Sequence, residues 1–498
     1  MLSELNRNLH EQIRSIYAIR SSLSLHGWDQ ECKMPLGGGS TRAYVMSELA
    51  GVLHKTMTDS DFLLKLEIGI KEAEPLSEWH ACLVAMQRDC VRKQRIPLDL
   101  DKSLVHAASL AQQAWVEARQ HGDAQKFLPM FRQLVHLKRE EAQCLVAPGQ
   151  SLYEALLQTY EPGMTLAALE PVFDELEQGL TSIVEELRAS NRLQPPPPFP
   201  GTFPKAKQAQ FLHDLLPRIG FEMSRGRLDE SAHPFTEAMN RNDVRLTVRY
   251  QEDNLLDAYF SLLHEGGHGL YEQGFLDEWN LTPMAEAVSL GVHESQSRFW
   301  ENCIGRSREY WEGEYPLLQQ YFPEALGSLN LDAFLLRVRA VHPSPIRVQA
   351  DEVTYNLHIL LRFRLERMIL EGELGVDDLE SAWNNEMQRW FWLTPDHLNE
   401  GYLQDVHWAA GLFGYFPTYT LGNLWSAQIR EAMIIQFPRY HEMVRDGHFG
   451  PIIQWLREKI HQPGRKLSSV ELMRSATGME LGAESFLKYL RERYLLPQ

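Results

Sequence analysis

Ser261-Leu262-Leu263-His264-Glu265-Gly266-Gly267-His268-Gly269-Leu270 holds two histidines four residues apart, with a glutamate directly after the first. Upstream, Leu255, Leu256, Ala258, Tyr259, Leu262 and Leu263 recur with helical spacing, and Leu270 and Tyr271 continue it, so the stretch reads as a helix. Positions i and i+4 of a helix lie one turn apart on one face, so both imidazoles can reach a single metal ion. Glu265 sits one step round, unable to share that ion comfortably but able to take a proton from a water beside it. That is a hydrolase's arrangement. The two adjacent glycines run against helix propensity, each by about 1 kcal/mol relative to Ala. Close approach of substrate or metal to the helix face is the expected reason.

With 19 histidines in 498 residues, roughly one random chain in twenty of this composition would carry His-Glu-x-x-His, so the motif needs a third ligand. A catalytic zinc usually takes three protein ligands and leaves one position for water. Glu294, in Gly291-Val292-His293-Glu294-Ser295-Gln296-Ser297-Arg298, supplies it from a second helix expected to begin near Pro283. The intervening turn, residues 274–283, lets the two helices pack antiparallel. Alone, Glu294 reads equally as a solvated helix carboxylate; the apolar Ala285, Ala287, Val288, Leu290 and Val292 beside it favour a ligand. His293 is the competing donor, but helical neighbours point about 100° apart, so only one of the two can face the ion.

At 498 residues and 44% hydrophobic content the chain can bury a large core. No composition shift divides it, so a single domain over residues 1–498 is expected. Its strongest internal break is Gln194-Pro195-Pro196-Pro197-Pro198-Phe199-Pro200-Gly201, a stiff crossover. An N-terminal helical subdomain, 1–194, lies before it, and a catalytic helical subdomain with a small sheet, 205–498, after it. The net charge of −18 argues against nucleic acid or an anionic membrane surface as partner. Cys32, Cys82, Cys90, Cys144 and Cys303 are scattered and lack metal-ligand spacing, which fits a reducing compartment, the cytoplasm. The opening Met1-Leu2-Ser3-Glu4-Leu5-Asn6-Arg7 has no apolar signal core, and no stretch reaches the roughly 20 apolar residues of a membrane span.

Amphipathic periods mark helices at 43–56, 59–72, 103–121 and 124–144. Between the first of these and Trp28-Asp29-Gln30, the run Met34-Pro35-Leu36-Gly37-Gly38-Gly39-Ser40 lacks both the Lys-Ser/Thr ending and the preceding strand of a phosphate loop, and reads as a tight connection. After a helix over 205–219, residues 221–224 and 245–250 alternate apolar and polar side chains. They predict a small antiparallel sheet, whose edge offers main-chain hydrogen bonds to an extended peptide. His233-Pro234-Phe235 and Asp243-Val244-Arg245-Leu246-Thr247 flank it. Further on, Ile346-Arg347-Val348-Gln349-Ala350-Asp351 is expected to open a helix. An arginine there opposes the helix dipole unless an anion joins it: Asp351 in a plain pair, or a substrate carboxylate. His407, in Gly401-Tyr402-Leu403-Gln404-Asp405-Val406-His407-Trp408, and Tyr419 read either as satisfied core groups or as donors to an oxyanion. Residues 467–496 read as two closing helices.

These stretches together resemble the carboxypeptidase Taq family of thermostable metallocarboxypeptidases. Seven motifs match in family order: Trp28 to Gln30 with Met34-Pro35 and the glycines, His233 to Phe235, Asp243 to Thr247, His264 to His268, His293 to Gln296, Ile346 to Asp351, and Gly401 to Trp408. The resemblance implies a mainly helical fold similar to neurolysin and angiotensin-converting enzyme, with a deep cleft, a small sheet and a homodimer. It implies release of single C-terminal residues from peptides with a free C-terminus. It also implies His264, His268 and Glu294 as zinc ligands, with cobalt as an alternative ion, and Glu265 as general base. Arg347 would anchor the terminal carboxylate, and His233, His407 and Tyr419 would contact substrate or oxyanion. An endo-acting oligopeptidase or a dipeptidyl carboxypeptidase would use the same zinc site with another anchor. A non-enzymatic helical interaction protein would bind no stoichiometric metal.

Overall fold

Most of the apolar periodicity in the sequence becomes helix in the computed structural model, which describes residues 4–496. Met1, Leu2 and Ser3, which open the stretch read for a leader, lie outside it, as do the last two residues. The long first helix, Glu4–Cys32, packs against Gly39–Met57 and Ser60–Glu72. Together with Glu78–Arg95 these enclose a first apolar cluster of Leu9, Ile13, Leu66, Leu83 and Met86, in which Cys82 and Cys90 are buried. Asp59 and Ser77 start two of these helices by accepting the N–H groups of Phe62 and His80. The glycine-rich connection is a 3₁₀ turn, Leu36–Gly38, running directly into the next helix. A larger core extends from Phe127–Leu145 to the closing helices Ser469–Thr477 and Glu484–Tyr494, and holds the functional elements. Among the described residues no helix is long and apolar enough to cross a membrane.

The sheet differs from expectation. Its strands are β1 (Gly226–Glu230), β2 (Thr236–Asn240) and β3 (Asp243–Val248), in the order β1-β3-β2. β2 runs antiparallel to β3 but β1 runs parallel to it, so the sheet is mixed. Residues 221–224 are not a strand. Gly220, at φ 94°, turns the chain so that Phe221 is buried under Gly226 and Gly269, and Met223–Arg225 then make a 3₁₀ turn. Val244, Leu246 and Val248 are buried, and β3 packs on the histidine-bearing helix, Leu255–Gly274.

Two helices start later than the sequence suggested. The helix carrying Glu294 is Leu290–Arg298, because Ser289 accepts the Val292 N–H and caps it; Pro283–Ala285 is only a 3₁₀ turn. Arg347 lies in a 3₁₀ turn, Arg347–Gln349, and the next helix is Tyr355–Glu371. Asp351 delays it by accepting N–H groups from Val353 (2.9 Å), Thr354 (3.0 Å) and His342 (3.1 Å).

A candidate metal centre and its neighbouring cationic cluster

The histidine helix and the Glu294 helix approach so closely that Gly267 of the motif is explained by backbone rather than by metal or substrate, while Gly266 faces only the side chains of Ile219 and Leu216. A Cβ on Gly267 would stand 2.5 Å from the Gln296 carbonyl oxygen and 2.7 Å from Ser297 Cα. Opposite, the helix Pro417–Gln436 brings Gly422 against Glu294, where a Cβ would lie 2.4 Å from Glu294 Cγ. Glu294 is thus wedged between two helices that only glycine lets in.

That packing turns three donors toward one point. Glu294 Oε2 lies 3.6 Å from His264 Nε2 and 3.4 Å from His268 Nε2, and the three residues form a group able to hold a metal ion. The other atom of each donor is already committed. His264 Nδ1 meets Glu301 Oε2 at 2.9 Å, and Arg298 Nε donates to Glu294 Oε1 at 2.6 Å. His268 Nδ1 lies 2.5 Å from His293 Nδ1, whose Nε2 reaches Glu272 Oε1 at 2.7 Å. A carboxylate only accepts, so His293 carries its proton on Nε2 and accepts on Nδ1 from His268. The same reasoning gives His264 an Nδ1 proton donated to Glu301. Both histidines are therefore left with a free Nε2 lone pair, as metal coordination would require. The donor set of two imidazoles and one carboxylate suits zinc with an open fourth position.

The electrostatics favour positive charge at this point: burial lowers His264, but Glu294 first and then Glu301 outweigh it and raise its pKa. Burial pushes Glu294 toward the neutral form, but Arg298 and the two histidines outweigh it and hold the carboxyl well below the usual range. Glu301 falls to about 2 for the same reason: burial opposes, while Arg298 and His264 prevail. Burial and His293 hold His268 neutral, down to about 3. Glu265 is buried too, and burial raises it above the ordinary carboxylate range. Thr236, the first residue of β2, donates to Glu265 Oε2 at 2.7 Å and fixes its direction.

Arg298 leads to a second cluster. Its guanidinium lies over the Tyr355 ring at 4.4 Å, and Arg347 Nη1 donates to the Tyr355 hydroxyl at 3.0 Å. Arg347 is buried and packs over the Tyr419 ring at 5.2 Å; His407 Nε2 is 3.0 Å from the Tyr419 hydroxyl. The plain pair expected between Arg347 and Asp351 does not form, because Asp351 is spent on backbone N–H groups. Asp405 takes its place, its Oδ1 accepting from Arg347 Nε at 2.9 Å and lying 2.8 Å from Nη2 in an ion pair. His264, His268, Glu294 and Glu265 are thus together, and Arg347, His407 and Tyr419 form the adjoining group. His233 stands apart, exposed in the turn before β2.

Several residues of the site were not singled out in the sequence. Arg298 and Glu301 follow Glu294 at i+4 and i+7, a helical spacing that could have revealed them, although a π-helical turn, Phe299–Ile304, carries Glu301. Glu272 falls one turn beyond His268 and was equally legible. Thr236 and Gly422 come from distant segments and had no local signal, while Asp405 lay unremarked in the motif around His407.

The family described as carboxypeptidase Taq (M32) metallopeptidase matches residues 8–494 of the chain. Thermostable carboxypeptidase 1 of Thermus thermophilus is 40% identical over 98% of both chains, and thermostable carboxypeptidase 1 of Pyrococcus furiosus 37% over 99% of both. Among solved structures, the Pyrococcus furiosus carboxypeptidase superposes with a TM-score of 0.95 at 36% identity, covering 99% of each chain. The M32 carboxypeptidase of Deinococcus radiodurans does so with a TM-score of 0.94 at 34% identity and the same coverage.

Proposed function

The chain belongs to the carboxypeptidase Taq (M32) metallopeptidase family and is a metallocarboxypeptidase, a hydrolase; from that premise we propose that it is zinc-dependent and removes single C-terminal residues from peptides with broad specificity. The observation that carries this reading is the convergence of His264 Nε2 and His268 Nε2 on Glu294 Oε2, joined to Arg347 through Arg298 and Tyr355. His264, His268 and Glu294 would hold the ion, and cobalt suits the same nitrogen and oxygen donors. When bound, the metal supplies a Lewis acid that polarises the scissile carbonyl and acidifies water.

The remaining steps belong to the chain's own side chains. Glu265, aimed by Thr236 and raised by burial, accepts the proton of the attacking water and returns it to the leaving amine. Arg347 binds the free terminal carboxylate and so sets which peptide bond lies at the metal. His407 is neutral, held down to about 3 by burial and by Arg347, and its Nδ1 meets no partner among the described residues. A buried lone pair is cheaper to leave unmatched than a buried N–H, so the proton belongs on Nε2, donated to the Tyr419 oxygen. Tyr419 is then free to turn its own proton to the oxyanion. His233, exposed three residues before Thr236, is assigned a substrate contact away from the reacting carbonyl. The five cysteines are free thiols, which supports a cytoplasmic setting, and a homodimer is the proposed assembly.

The test pairs metal analysis with mass spectrometry of a peptide mixture before and after chelation. One zinc per chain and a chelator-sensitive ladder of single-residue losses are expected. Glu265→Gln should keep its zinc and lose nearly all turnover; internal or dipeptide cuts would overturn the anchoring role of Arg347.

A further inference from the structure

Asp405 is shared. While its Oδ1 receives Arg347, its Oδ2 receives Nε of a second arginine, Arg362, at 2.6 Å. Arg362 is fully buried on the helix Tyr355–Glu371, with its guanidinium 4.6 Å from the Trp383 ring and 5.8 Å from the Phe416 ring. It donates through Nη1 to the His358 carbonyl at 2.8 Å, and its Nη2 meets no partner among the described residues. Burial holds it down to about 10, so it remains charged at neutral pH. His358 and His407 are both kept neutral, by burial first and then by the arginines. The buried group therefore contains two cations and one anion, a surplus of one positive charge.

A guanidinium has five N–H donors. Arg347 spends its Nε hydrogen on Asp405 and one Nη1 hydrogen on Tyr355, with Nη2 paired to the same Asp405 oxygen, which leaves at least one hydrogen on each terminal nitrogen for the fork that matches a carboxylate. Without Arg362, Asp405 could close both oxygens onto Arg347 and leave a neutral, self-satisfied pair. We propose that Arg362 is a positioning residue: by engaging the second oxygen of Asp405 it keeps the Arg347 fork open and the cluster cationic, ready for the terminal carboxylate of a peptide. This rests on the reading of Arg347 as the anchor.

The test compares Arg362→Met, Arg362→Lys and Arg347→Ala in the zinc-loaded enzyme, on one peptide with a free C-terminus and on its amide. Methionine fits between the aromatic rings, and replacing one member of a buried ion cluster by an apolar residue is often tolerated. Arg362→Met should raise KM for the free peptide about tenfold, with kcat within twofold of wild type and the amide unaffected. Arg362→Lys, which restores the charge, should recover most of the loss. A uniform loss on both peptides, or an unchanged KM, overturns the role of Arg362 when Arg347→Ala still discriminates between them. If Arg347→Ala itself loses equally on both, the anchor reading fails first. Should Arg362→Met not fold, Arg362→Gln removes the same charge and the same comparison decides.

Discussion

Gly267→Ala adds one methyl group where two helix backbones meet. The new Cβ would lie 2.5 Å from the Gln296 carbonyl oxygen, 2.7 Å from Ser297 Cα and 2.9 Å from the Gln296 carbonyl carbon. Restoring ordinary contact near 3.5 Å requires the helices to part by about 1 Å. None of the three atoms is the end of a movable side chain. Overpacking of this kind costs about 1–3 kcal/mol, against about 1 kcal/mol gained by replacing a mid-helix glycine. The net destabilisation should be about 0–2 kcal/mol, so the larger effect is on geometry. Glu294 rides on the displaced helix, and a shift of about 1 Å at a reacting centre costs on the order of a hundredfold in rate. Gly266→Ala is the internal control. Its Cβ would meet only Ile219 Cδ1 at 2.9 Å and Leu216 Cδ2 at 3.7 Å, both movable ends. Metal affinity by chelator competition, kcat/KM and thermal midpoints should therefore fall for Gly267→Ala and stay level or improve for Gly266→Ala. Equal damage from both, or a Gly267→Ala enzyme with full affinity and activity, would refute the backbone-contact explanation.

Glu161 gives a pH prediction. It is fully buried and accepts the Gly291 N–H at the start of the Glu294 helix; burial raises it from 4.5 to about 8, against hydrogen bonds from Ser289 and Gly291. Between pH 4.5 and 8 the native protein holds a proton that the unfolded chain has released, so this group's stability is present below that window and lost as pH rises through it. Glu161→Gln keeps an acceptor for Gly291 and removes the titration, so melting curves from pH 5 to 9 should fall less steeply than for wild type; parallel curves would contradict it. Glu272→Gln should weaken metal binding about tenfold or more, since it loosens the His293 acceptor that fixes the His268 tautomer. An unchanged dissociation constant would mean that His293 orients His268 unaided.

The grouping of His264, His268 and Glu294 was legible because its logic is local: a fixed i, i+4 spacing needs no knowledge of the fold, and Glu294 had an apolar run beside it. The reason for Gly267 was not, since the atoms it avoids belong to Gln296 and Ser297, met only after the two helices dock. Alternation at 221–224 imitated a strand because Phe221 is buried by tertiary contact with Gly226 and Gly269 rather than by a pleat. The start of the Glu294 helix was misplaced although Ser289 is an ordinary N-cap, because the apolar Ala285, Ala287 and Val288 extended the period past it. The partner of Arg347 was the hardest to read. Asp351 sits at the right spacing, and only the competing demand of three backbone N–H groups removes it, leaving the place to Asp405, 58 residues on.

Arg298 holds Glu294 through Nε and Glu301 through Nη1, and Arg306 adds a bond to the far oxygen of Glu301. Arg298 takes the Glu294 oxygen turned away from the ligand point, and Glu301 stands behind His264 on its Nδ1 side, so these bonds do not depend on what occupies that point. The carboxylates keep their charge balance and the donors their aim whether or not an ion is present. Chelated enzyme should accordingly persist as a folded reserve that recovers on resupply of metal, so that scarcity of the ion idles the catalyst and leaves its architecture standing.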